Sequence, residues 1–213
     1  IWRSKHTQSA RLPAAVRWVS SRKSPGGMSA GATKPTASPA ARAESAAERS
    51  LASGVSPSNF YTYFKTVEEP VLALCEAAAV DFQGLANHFQ TDWPGDKAFA
   101  VARAFILDVM AVWRDHGQVL RVEHMLADNG DAAFIESRVR RLRRLHLAIE
   151  RRVAQAHAAG LHPRDYNPRL ASYQIASIAE STAASFEVVR RADTPEAILD
   201  TAAIIIVKLT TGR

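Results

Sequence analysis

The sequence predicts an all-α protein, on three observations. From Val55 onward apolar residues recur at three- and four-residue spacing. No segment alternates apolar and polar residues as a half-buried strand would, and no hairpin dipeptide joins two β-branched runs. Proline, glycine and aspartate punctuate the chain at the intervals that separate helices.

The elements follow in order. Ser56 is a good N-cap and Pro57 suits a first helical position, so a short helix runs to about Phe64. Thr66-Val67-Glu68-Glu69 reads as a capping box opening the next helix, with Pro70 still in its first turn. That helix carries Val71, Leu74, Cys75, Ala78, Phe82, Leu85 and Phe89 on one stripe. Trp93-Pro94-Gly95-Asp96 breaks it. A third helix holds Phe99, Ala102, Phe105, Ile106, Val109, Met110 and Trp113, and His116-Gly117 is expected to end it. A short helix over Gln118–Ala127 leads to the break Asp128-Asn129-Gly130-Asp131. A long helix runs from Ala132 to about Ala159, its expected stripe Ile135, Val139, Leu142, Leu145, Ile149 and Val153, and Gly160 stops it. Prolines open the last two helices, Pro168–Arg191 and Pro195–Thr210.

Charge divides the chain unevenly. Residues 1–43 hold eight Lys/Arg and no acid, while residues 44–213 carry 19 Lys/Arg against 21 Asp/Glu. The net +6 therefore comes from the tail, and it is no argument for nucleic-acid binding by the body. In residues 24–54 only Met28 and Leu51 are large apolar side chains, too few to offset the entropy of ordering. The expected organisation is a disordered basic tail over 1–40, a partial helix-turn-helix region over 41–67, and a helical domain over 68–213. At most a solitary polar helix forms between Ala40 and Ser53.

Several function classes are excluded. One cysteine, Cys75, forms no internal disulfide and suits a reducing, cytoplasmic compartment. No run of 18 apolar residues could cross a membrane, and arginines interrupt any secretory h-region. His116, His124, His146, His157 and His162 lack metal-ligand spacing, so no metal is expected. G-x-S-x-G, G-x-x-x-x-G-K and G-x-G-x-x-G are absent, so neither an enzyme nor a cofactor is expected. The arginines at 138, 140, 141, 143, 144, 151 and 152 are expected on a solvated face.

The sharpest motif is Gly54-Val55-Ser56-Pro57-Ser58-Asn59-Phe60-Tyr61-Thr62-Tyr63-Phe64-Lys65. A capped short helix places small polar residues first and aromatics behind, the form a recognition helix needs to meet base edges. Tyr hydroxyls and the helix N-terminus suit phosphate oxygens. Such an aromatic cluster is also a common way to build a core.

This segment resembles the end of the DNA-binding domain of the tetracycline-repressor (TetR) family: a Gly-Val-Ser turn, Tyr61-Thr62-Tyr63-Phe64, then Val67-Glu68-Glu69-Pro70 at the start of the next helix. Two features depart from that family. Val67 stands where the family has a phosphate-contacting lysine, and residues 24–54 lack the apolar face of its first two helices. A reading-frame fault upstream of about Leu51 would produce such an onset.

The resemblance implies a double-stranded operator contacted by Ser56, Ser58, Asn59, Tyr61, Tyr63 and Lys65. It implies an apolar small-molecule effector in a pocket drawn from Phe99, Phe105, Met110, Trp113, Met125, Phe134 and Phe186. It also implies a regulator, expected to be a repressor released by that effector. A homodimer through Ile175, Ile178, Thr182, Ile198, Ala202, Ile205 and Leu209 is expected, because the last two helices are apolar on more than one side. The alternative is a helical ligand-binding or scaffold dimer that has lost DNA binding.

Overall fold

In the computed structural model, Thr66 and residues 68–213 are described. The expected recognition helix, the expected tail over 1–40 and all of the expected 41–67 region except Thr66 lie outside them. Five α-helices are present among the described residues and no strand: α1 Glu68–Leu85, α2 Ala98–Asp128, α3 Ala132–Ala158, α4 Pro168–Val189 and α5 Pro195–Thr211. Residues from Leu72 to Arg213 cluster as one compact unit.

The helix starts follow local chemistry. The Asp131 side chain accepts from the Ala133 and Phe134 amides, Asn167 from Arg169 and Leu170, and Thr194 from Ala197. Each such cap contributes about 1 kcal/mol. Pro168 and Pro195 sit in the first turn of α4 and α5, where a missing N–H costs little. Gly130 (φ 87°) and Gly160 (φ 72°) close α2 and α3 in the left-handed conformation that favours glycine.

Three expectations give way. The first stripe does not continue as α-helix to Phe89: α1 ends at Leu85, and Ala86–Phe89 tightens into a 3-10 turn. That turn delivers Phe89 to a cluster with Phe105 and Trp93, at ring separations of 4.9 and 5.1 Å.

Gly117 does not end a helix, and the separate helix over Gln118–Ala127 does not exist. α2 runs unbroken for 31 residues. Phe105, Ile106, Val109 and Trp113 before the glycine, and Val119, Leu120 and Glu123 after it, are all buried. Keeping that face continuous outweighs the roughly 1 kcal/mol cost of one helical glycine, since each large apolar side chain buried is worth about 1.5–3 kcal/mol.

The third correction concerns α3. Ile135 and Val139 are 43% and 60% exposed, whereas Phe134, Ser137 and Arg141 are buried. The N-terminal half of α3 is thus turned away from its most aliphatic side. Arg141, expected in solvent, is 2% exposed.

α2 is the central element and packs against α3, α4 and α5; α3 also contacts α4, α5 and the 3-10 turn. α1 and its 3-10 turn are joined to α2 by two polar rungs. His116 Nε2 lies 2.7 Å from Asp81 Oδ2, and His88 Nε2 lies 2.7 Å from Asp108 Oδ2. The order of these pairs makes α1 and α2 antiparallel.

Candidate functional site

Three helices bring one polar cluster into the core of the bundle, and a fourth covers it. α2 contributes Glu123 and His124, α3 contributes Ser137 and Arg141 one turn apart, and α4 contributes Glu180. Arg141 donates from Nε to Glu123 Oε2 at 2.8 Å and from Nη1 to Glu180 Oε1 at 2.7 Å. Its third nitrogen, Nη2, lies 3.0 Å from His124 Nε2, with the guanidinium donating. Ser137 Oγ donates to the other Glu123 oxygen at 2.7 Å. α1 supplies the apolar lid, for the Phe82 ring lies 4.3 Å from the guanidinium carbon.

Two carboxylates thus share one guanidinium in a dry environment. Burial alone would raise the Glu180 pKa, but the His124 ring and the Arg141 guanidinium outweigh it and hold the carboxyl at about 2. Of the two, Arg141 is within hydrogen-bond reach, while His124 Nε2 stands 3.7 Å from Glu180 Oε1. The neighbouring Cys75 thiol is pushed up to about 12 by burial and by the Glu123 charge, which Ser137 and Arg141 only partly offset. Cys75 is therefore a packing residue here and not a nucleophile.

Beside the cluster, Trp113 stands edge-on to His124, the ring centroids 5.5 Å apart. Arg121 lies over its ring at 5.6 Å. Trp113 is 5% exposed, and its indole N–H has no hydrogen-bond partner among the described residues. A buried donor without an acceptor is a place where a ligand oxygen or a water would be stabilised.

The seven residues expected to line an effector pocket are dispersed. Trp113 adjoins the polar cluster. Phe105 lies two turns earlier on α2, in the aromatic group with Phe89 and Trp93. Phe134 is fully buried, Met110 and Phe186 are half-buried, and Phe99 and Met125 are exposed. Among the described residues, neither of two surface grooves contains any of the seven. One, of about 440 Å³, is lined by Asn87, His88, Thr91, Lys97, Ala100, Val101 and Ala104. The other, of about 380 Å³, runs between α4 and α5 and includes Ile178, Thr182 and Ile198.

Of the residues expected at a dimer interface, Ile175 and Ala202 are buried within the chain. Ile178, Thr182, Ile198 and Leu209 are half-buried, and Ile205 is exposed. Ile204, Leu170, Tyr173 and Val188 are exposed as well. Ser56, Ser58, Asn59, Tyr61, Tyr63 and Lys65 lie outside the described residues.

Sequence reasoning missed Glu123, Glu180 and the special place of Arg141. The signal was present as a charged residue in phase with the core positions of each helix.

Residues 85–212 match the family model of the tetracyclin repressor-like C-terminal domain, a span that contains all of this cluster except Cys75 and Phe82. The chain belongs to the TetR family of regulators. No curated protein matches the sequence. The TetR-like domain thus spans α2 to α5 and the 3-10 turn before them, while α1 precedes it. Among the described residues, no helix is long and apolar enough to cross a membrane.

Proposed function

We propose that this chain is a ligand-responsive transcription regulator that binds a palindromic DNA operator as a homodimer. The observation that carries this reading is the TetR-like C-terminal domain over 85–212. The Gly54–Lys65 motif stands upstream of that domain, where a recognition helix would precede it. Ser56, Ser58, Asn59, Tyr61, Tyr63 and Lys65 are the proposed DNA-contacting residues. The two-fold partner would cover the outward face of α4 and α5. These two helices expose Leu170, Tyr173, Val188, Ile204 and Ile205, apolar side chains that a two-fold interface would bury.

The effector would be a small, largely apolar molecule carrying a hydrogen-bond acceptor. The unpartnered Trp113 N–H, beside His124, is the group it would engage. Binding can act on DNA affinity only if it favours one bundle conformation over another. The regulator would then be a repressor released by its effector, in the cytoplasm.

Genomic selection of DNA fragments by the full chain, followed by a gel shift on the enriched duplex, tests the reading. A palindromic duplex bound at nanomolar concentration, and bound more weakly on all sequences by Lys65→Ala, is the expected result. A dimer that retains no duplex at low salt would favour the second reading, a ligand-binding or scaffold dimer without DNA function. The specific observation behind that alternative is the near absence of large apolar residues in 24–54, where the brace for a recognition helix should lie.

A further inference from the structure

The seven arginines of α3 separate into two groups by what they touch. Arg138 pairs with Asp128 at 3.1 Å, Arg141 is buried among Glu123, Glu180 and His124, and Arg152 reaches Asp92 at 3.3 Å. These three hold the bundle together. Arg140, Arg143, Arg144 and Arg151 point outward and are exposed. Arg140 has only Glu136, at 2.8 Å on the same helix, and the other three make no ion pair or hydrogen bond among the described residues.

These four side chains lie on one face, with the turn of Leu147 between Arg144 and Arg151. From Arg140 to Arg151 the helix advances about 16 Å at 1.5 Å per residue. Like charges three and four residues apart repel, so the arrangement costs the isolated helix stability. Two aliphatic residues stand among them: Val139 is 60% exposed and Leu147 is 44% exposed. Val139, Arg143, Leu147 and Arg151 follow one another at four-residue steps, a stripe alternating aliphatic and cationic groups.

We propose that this outward face of α3 docks an acidic amphipathic helix of a partner protein. Three properties select that occupant. The guanidinium fork matches a carboxylate with two parallel hydrogen bonds, which makes arginine suited to acidic side chains. Val139 and Leu147 alternate with Arg143 and Arg151, so a partner helix would meet apolar and cationic contacts in turn, the mixture of a protein interface. Phosphate-backbone recognition has no use for aliphatics between the cations. A lipid surface would need a broader apolar face than two side chains, on a helix free to sink into the headgroups, and α3 is fixed on its opposite side by Arg141.

The test uses the full chain and a labelled synthetic helix of about 18 residues, with leucines at i and i+4 flanked by glutamates. Fluorescence anisotropy gives its affinity, beside a composition-matched scramble without an apolar face, a non-palindromic duplex and phosphatidylserine vesicles. Because the basic tail also attracts anions, only differences between the wild type and α3 variants count. The amphipathic peptide should bind at micromolar concentration. Arg143→Glu/Arg151→Glu should weaken it about tenfold or more, with Leu147→Ser and the scramble giving smaller losses. Arg143→Gln/Arg151→Gln, with helicity followed by circular dichroism, repeats the test should the charge reversal unfold the chain. Equal binding of peptide and scramble would overturn the proposal. So would an unchanged affinity in both double variants. A loss confined to the duplex or the vesicles would assign the face to nucleic acid or lipid instead.

Discussion

Arg141 on α3 and Glu180 on α4 meet at 2.7 Å between Nη1 and Oε1, with both side chains removed from water. The pair ties the centre of the bundle to the helix that carries much of the exposed apolar face. A buried ion pair is not in itself a gain over well-packed hydrophobic residues, but losing one partner leaves a charge stranded. Arg141→Met would strand two. It should therefore destabilise the protein by about 3–5 kcal/mol in urea unfolding. Adding Glu123→Gln and Glu180→Gln to the same chain should recover part of that loss. A single-variant loss below about 1 kcal/mol would mean that water reaches the cluster.

The Glu180 carboxyl gives the protein an acid dependence of known sign. Its folded pKa of about 2 lies below its ordinary value of 4.5. The unfolded chain therefore binds the proton first, and stability rises with pH across that interval. The contribution is fully present above about pH 4.5 and fades as pH falls toward 2, with an upper bound of about 3 kcal/mol. Denaturant unfolding at a series of pH values should show this slope in the wild type and a shallower one in Glu180→Gln. Parallel slopes would contradict the assignment.

Cys75 should resist a thiol reagent at pH 8 in the folded protein. With its pKa at about 12, the thiolate fraction there is about one in ten thousand, and the sulfur is buried. Labelling should become complete in denaturant. Rapid labelling of the native chain would show that α1 opens from the bundle.

Gly212 should not accept alanine. It closes α5 at φ 72°, and a Cβ there would fall inside the contact distance of the Leu161 carbonyl oxygen. Gly212→Ala must either move the loop after α3 or unwind the end of α5, at a cost of about 1–3 kcal/mol. A thermal melt unchanged within a degree would show that the chain end simply swings aside.

The proposed two-fold interface is tested at Ile205, which is 41% exposed. The wild type should sediment as a dimer at tens of micromolar, and Ile205→Asp as a monomer. A monomeric wild type, with Ile205→Asp unchanged in mass and solubility, would sink the interface.

Much of the bundle was legible in the sequence because its helix ends are written locally. Asp131, Asn167-Pro168, Thr194-Pro195 and Gly160 each fix a boundary through an interaction within a few residues. Gly117 misled because helix termination is settled by burial on both sides, which lies in the tertiary structure. Ile135 and Val139 misled for a related reason. The turn of α3 that buries Phe134, Leu142, Leu145 and Ile149 carries Arg141 inward with them and leaves Ile135 and Val139 outside. The candidate site was hardly legible, since its charges come from three helices and only their meeting gives them meaning. The clue was that Arg141 falls in phase with Phe134, Leu145 and Ala148.

The two histidine–aspartate rungs that join α1 and its 3-10 turn to α2 have a mechanical consequence. One rung would leave α1 free to swing like a lever about a single pivot. His116 and Asp108 are eight residues apart on α2, about 12 Å along its axis. Two attachments at that separation resist swinging and leave axial sliding as the softer motion. Both rungs lie toward the solvent, with exposed carboxylates, so they restrain the helices from outside the apolar core. Stiffness between these two helices is thus set at the surface as well as by packing in the core.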